Sequence, residues 1–255
     1  MFTFRIKLII AITLFFIQLF PAIAAVQVNI NVEQPEHHIA IVELEFDQVN
    51  ESKVDFYLPT WRTGRYETLN LANGIRQFVA KDGQGNVLSW HKTDKNTWQV
   101  EGTLHKKVTL TYQIYANQLA KRTRHIDDSH AFIDSSAVVL YSKVSRAEQH
   151  IVQLLVPKSW RSFSGLETGE NSHQFIASNY DQLVDSPIET GINEHHEFSV
   201  ENRLYELVIW GEGNYDSTKM LKDLQVLVKQ SKHIWQDYPF KRYVFMVHAT
   251  SGARG

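Results

Sequence analysis

Three carboxylates, Asp181, Asp185 and Glu189, recur at four-residue intervals in the run Tyr180-Asp181-Gln182-Leu183-Val184-Asp185-Ser186-Pro187-Ile188-Glu189-Thr190-Gly191. Two such groups facing one sugar across a defined gap would be the machinery of glycoside hydrolysis. Pro187 removes that reading. It lacks the amide donor a helix interior needs and biases Ser186 toward extended backbone, so the three carboxylates do not share a helical face. The segment Arg122-Thr123-Arg124-His125-Ile126-Asp127-Asp128-Ser129-His130 places two His and two Asp within six residues. Those are metal-ligand types, but without a defining spacing they read as a polar connection between strands. His196-Glu197-Phe198-Ser199-Val200 is the nearest approach to H-E-x-x-H. It lacks the second His, and Phe198 and Val200 alternate like a strand, whereas that chemistry needs two His one turn apart on a helix. His37-His38 and His195-His196 read as solvated residues at strand ends, because neighbours on a strand point to opposite faces. No metal ligand and no catalytic residue is assigned from these patterns.

The elements that must position any site are mostly strands. Val26-Gln27-Val28-Asn29-Ile30-Asn31-Val32 alternates without a break, the period of a half-buried strand. Similar signals recur at 42–46, 54–58, 98–100, 108–114, 137–141, 151–156 and 204–210. Asp82-Gly83-Gln84-Gly85-Asn86 supplies turn residues, and Pro59 and Pro157 close strands by removing a ladder donor. Many short strands with frequent turns predict an antiparallel β-sandwich. Trp90, Trp98 and Trp160 are expected in its core. After Trp210 the pattern changes. Asp216 or Ser217 can cap a helix carrying Leu221, Leu224, Leu227, Val228, Ile234 and Trp235 at helical spacing, and Pro239 ends it. The near-continuous apolar run Tyr243 to His248 then fits a strand covered on both faces. Strand, helix and strand look like the opening of an α/β domain that cannot enclose a core unaided.

Composition narrows the class. With 255 residues, 43% hydrophobic and 21% charged, the chain carries enough apolar material for a folded core. A formal charge of −2 offers no nucleic-acid footprint. Arg5 and Lys7 precede an apolar run from Leu8 to Phe20, followed by Pro21-Ala22-Ile23-Ala24-Ala25. This reads as a cleaved signal peptide over residues 1–25, too short for a comfortable membrane span, with an uncleaved anchor as the other reading, and predicts a periplasmic or secreted protein. Zero Cys excludes a disulfide framework and thiolate chemistry.

Four segments, in order, resemble the glycyl-aminopeptidase-type zinc metallopeptidases that carry a PDZ domain. Leu58-Pro59-Thr60-Trp61-Arg62-Thr63-Gly64-Arg65-Tyr66 is similar to a family loop Leu-Pro-x-Trp-x-Pro-Gly-x-Tyr, with Thr63 in place of Pro and Arg65 in place of a small residue. Lys92-Thr93-Asp94-Lys95-Asn96-Thr97-Trp98, the run 180–191, and Pro239-Phe240-Lys241-Arg242-Tyr243-Val244-Phe245 are the others. The resemblance implies a β-sandwich domain at 26–200 followed, at 201–255, by the first strand, helix and strand of an incomplete thermolysin-like catalytic domain. It implies zinc only in a full-length relative, since neither H-E-x-x-H nor the preceding G-G-L-E-H occurs here. The chain stops at Gly252-Ala253-Arg254-Gly255, about where the latter would begin. Without the zinc ligands and general base, this chain is expected to hydrolyse no peptide, and peptide is the substrate only of the complete protein. Trp61, Gly64, Arg65 and Tyr66 are candidates for a substrate-cleft wall, with a satellite hydrophobic cluster under a turn as the other reading. Asp181, Asp185, Pro187 and Glu189 are expected at a seam between domains, in a linker that Pro187 stiffens. A different class stays open: a free-standing periplasmic module that binds peptide or glycan through the Trp61 to Tyr66 loop.

Overall fold

The computed structural model describes residues 25–61, 68–119, 123–235 and 237–251. The signal-peptide segment and Gly64, Arg65 and Tyr66 lie outside the described residues. A seven-stranded sheet runs, edge to edge, through Glu167–Thr168, Gln174–Ala177, Gln149–Leu155, Ala25–Asn31, Ile39–Val49, Lys106–Tyr115 and Ile75–Asp82. A four-stranded sheet, Tyr141–Ser142, Lys53–Tyr57, Thr97–Glu101 and Trp90–Asp94, packs over it. Val26, Val28 and Ile30 point inward at the predicted period of two. Phe46 meets Phe56 across the gap at 5.1 Å between ring centroids, and Phe78 stacks on Trp98 at 5.7 Å. The fold is therefore the mainly β sandwich that the alternation predicts. Its pairing is not wholly antiparallel, because Ala25–Asn31 runs parallel to Gln149–Leu155. Partners so far apart in sequence leave no local signature.

One strand expectation and one core expectation fail. Asp134 accepts a hydrogen bond from the Ser136 amide and closes a 3-10 turn at Ser135–Ala137, so residues 138–140 form no strand. They stay buried, with the Tyr112 hydroxyl donating to the Val138 carbonyl and accepting from the Leu140 amide. Trp90 is 39% exposed, unlike the buried Trp98 and Trp160. Its strand lies at the sheet edge, so Trp90 covers Phe78 from one side only.

A five-stranded sheet, Arg161–Ser164, Ile188–Gly191, His130–Ile133, Arg124–Ile126 and Asn117–Gln118, completes the first unit. Arg124 is buried there, and its guanidinium donates to the carbonyls of Leu71, Tyr115 and Ala137. Burial pushes its pKa down to about 10, which still leaves it charged at neutral pH.

The second unit is a three-stranded sheet, Glu194–Val200, Arg203–Gly211 and Arg242–Ala249, with the helix Ser217–Trp235 against it. Asp216 caps the helix by accepting from the Lys219 amide. Glu194–Val200 pairs along its full length with the next strand, so the change of sheet falls at Ile192–Asn193. The strand Arg242–Ala249 is not covered on both faces: its residues are only partly buried and Tyr243 is 43% exposed. No helix among the described residues is long and apolar enough to cross a membrane.

One buried group in the first unit makes a pH prediction. His150, fully buried on Gln149–Leu155, donates from Nδ1 to the Glu148 carbonyl while Nε2 has no partner among the described residues. Burial pushes its pKa down to about 4. The unfolded chain titrates this histidine near 6.5, so between these values the unfolded state binds the extra proton. Stability is then fully present above about 6.5 and is lost as the pH falls toward 4, by about 3 kcal/mol in total. Urea midpoints of the parent and of His150→Leu, measured from pH 7 to pH 4, should diverge, with the parent falling more steeply. Parallel profiles would show that His150 is not the proton-linked group.

Candidate functional site at the seam between the sheets

Pro187 ends the short helix Tyr180–Asp185, which Asn179 caps by accepting from the Gln182 amide. The chain immediately becomes the strand Ile188–Gly191, buried at all four positions. The run is thus not a linker. Tyr180 and Leu183 belong to the main core, Asp181 makes an exposed ion pair with Arg146 at 2.7 Å, and Asp185 is exposed at the helix end. The Pro187 carbonyl accepts from the Ser164 hydroxyl. Glu189 reaches the other unit, through His248.

Alternation along Ile188–Gly191 sends Ile188 into the core and Glu189 to the opposite face. There Oε1 lies 2.8 Å from His130 Nδ1 and Oε2 lies 2.9 Å from His248 Nε2. His130 comes from the adjacent strand of the same sheet and His248 from the second unit. A carboxylate only accepts, so both nitrogens carry protons toward Glu189. His130 Nε2 is 2.9 Å from His125 Nδ1, which then donates to it. Burial first, and the neighbouring His130 second, hold His125 below the ordinary histidine pKa. The His130 ring stacks on Trp210 at 3.5 Å, and Trp210 Nε1 donates to the Ser129 hydroxyl. Gly191 faces the same spot because a Cβ there would meet the Ser129 carbonyl and His130 at 2.6 Å.

A second buried carboxylate, Glu206, closes the seam beside Arg161–Ser164. It accepts from His195 Nε2 at 3.0 Å and from Arg242 Nε. Arg161 donates to His195 Nδ1 at 3.0 Å, and Phe163 packs on that imidazole at 4.7 Å. His195 is therefore not a solvated strand end. Its side chain is 8% exposed, whereas the adjacent His196 faces outward and pairs with Glu194.

Elsewhere, Trp61 is 56% exposed and borders a hollow of 290 Å³ with Tyr141, Arg146, Tyr180 and Asp181. The string His196 to Val200 is a strand, which does not fit a zinc motif needing a helix. On the second unit, Tyr205, Leu227, Val228, Tyr238, Phe240 and Phe245 line an open apolar groove of 720 Å³.

The peptidase M61 N-terminal domain family matches residues 27–192, ending where the chain changes sheets. The chain belongs to the peptidase M61 N-terminal domain family. Among solved structures, an aminopeptidase N family protein from Idiomarina loihiensis is similar to this M61 N-terminal domain chain with a TM-score of 0.84 and 24% identity. The match covers 90% of this chain and 40% of that one. An M1 zinc metallopeptidase from Deinococcus radiodurans matches with a TM-score of 0.51 and 12% identity, over 91% of this chain and 57% of that one. Leukotriene A4 hydrolase from Saccharomyces cerevisiae matches with a TM-score of 0.52 and 10% identity, over 92% of this chain and 38% of that one. At these identities the likeness establishes the fold. No curated protein sequence matches the chain. The M61 match explains why the first unit is a sandwich and leaves the second unit, residues 194–251, outside the matched span.

Proposed function

We propose that this chain is the N-terminal portion of an exported, aminopeptidase-like zinc metallopeptidase, whose sandwich frames a peptide cleft and whose second unit seats a catalytic domain. The observation that carries this is the open apolar face of the second unit. Leu227 on the helix, 60% exposed, lines an apolar groove with Tyr243 and Phe245 of the edge strand Arg242–Ala249, whose apolar residues are only partly covered. A contiguous apolar surface of this kind marks an interaction site, and an uncovered edge strand offers backbone groups for pairing. The membership in the M61 N-terminal domain family and the 40% span of the Idiomarina protein support the same reading. Zinc held by an H-E-x-x-H helix in the complete protein would activate water for attack on a peptide behind a small N-terminal residue such as Gly. The sequence of this chain contains no H-E-x-x-H.

Two measurements test it. Turnover of glycyl and alanyl anilides by residues 26–255 with added Zn²⁺ should equal the buffer rate, and turnover above it would sink the assignment. The reading frame downstream of the Gly255 codon should encode Gly-Leu-Glu-His and then H-E-x-x-H; an immediate stop codon would instead favour the free-standing module, for which the hollow beside Trp61 is the supporting observation.

A further inference from the structure

We propose that His130, Glu189 and His248 bind one divalent transition-metal ion of the zinc class, which staples the second unit to the first. The assignment does not depend on the peptidase reading.

Two imidazole nitrogens and a carboxylate form a donor set suited to zinc, cobalt, nickel or copper. Their ligand atoms all lie within 4.8 Å of one another. A tetrahedral ion with bonds of roughly 2.0–2.1 Å needs ligand atoms about 3.4 Å apart. The observed 2.8 and 2.9 Å separations from Glu189 to the two nitrogens therefore have to open by only about half an ångström. His130 is already held for the task, stacked on Trp210, with Nε2 facing His125 Nδ1. When Nδ1 gives its proton up to bind an ion, Nε2–H donates to His125, the outer-sphere partner that metal-bound imidazoles almost always have. The His248 side chain is 21% exposed, which leaves a route for an ion to enter.

Charge selects this cluster over two others with metal-binding residue types. Glu189 is 1% exposed and its hydrogen-bond partners among the described residues are the two imidazoles, with no Lys or Arg. A carboxylate so buried calls for a counter-charge, which the ion supplies. Glu206, beside His195 and Glu197, already has one in Arg242. Asp127, beside His125 and His130, has a side chain 25% exposed to water, and its Oδ1 accepts from the Ser129 and His130 amides and the Ser129 hydroxyl, so it needs a counter-charge less.

The test uses the chain without an affinity tag. Titration with Co²⁺ after chelator treatment should give one equivalent bound, with the strong visible bands of a four- or five-coordinate site, and added Zn²⁺ should displace it and raise the melting temperature. His248→Ala should weaken binding by at least on the order of 100-fold, while His195→Ala should leave it unchanged. Should His248→Ala fail to fold, imidazole nitrogen resonances of the parent decide the question: those of His130 and His248 should shift on adding Zn²⁺, and that of His195 should not. Absence of saturable binding, retention in a folded His248→Ala, loss in His195→Ala, or shifts confined to other histidines would each overturn the proposal.

Discussion

Arg124→Met should lower the unfolding free energy by about 4 kcal/mol, measured by urea denaturation at neutral pH. Met preserves much of the stem, so packing is largely kept. What is lost is a fork that satisfies three carbonyls at once, those of Leu71, Tyr115 and Ala137. These belong to a 3-10 turn, the end of a seven-stranded-sheet strand and a second 3-10 turn. A buried acceptor left without a donor, as at Ala137, costs about 1–3 kcal/mol, and the part-buried Leu71 and Tyr115 carbonyls add less because they relax toward water. Arg124→Lys should recover little, because a point ammonium cannot span three acceptors in the geometry of a planar guanidinium. A loss below about 1 kcal/mol in Arg124→Met would mean that the carbonyls find other donors.

Glu189→Leu, compared with the parent in chelator to remove any bound ion, should cost about 3–5 kcal/mol, the usual penalty for removing one partner from a buried charged cluster. The loss should be asymmetric. His130 retains His125 and the Trp210 stack, whereas His248 loses its hydrogen bond to Glu189 and, among the described residues, keeps ring contacts to Trp210, His130 and Phe132. Hydrogen exchange should therefore accelerate most along Arg242–Ala249 and its partner Arg203–Gly211, with Ala25–Asn31 and Lys106–Tyr115 little changed. Uniform acceleration across both units would show that Glu189 supports the fold as a whole and is not a tie between its parts.

How much of this could be read from the residues depends on the range of the interaction. Pro187 ending a helix, Asp216 capping one, and Val26, Val28 and Ile30 facing one side are consequences of neighbours a few positions apart, and the sequence carries them openly. The same locality misled at 138–140, where apolar residues suggest a strand and the Asp134 cap directs a turn instead. It misled again at His195, whose polarity suggests solvent but whose burial depends on Arg161, 34 positions earlier, and on Glu206.

The amino-acid sequence by itself determined the family resemblance, the mainly β class and the break at Pro187, because alternation, turn chemistry and proline sterics are local properties of the chain. Only the tertiary structure decided that Glu189 joins the two units. Its partners His130 and His248 lie 59 residues away on either side, and such a convergence exists only once the sheets have paired.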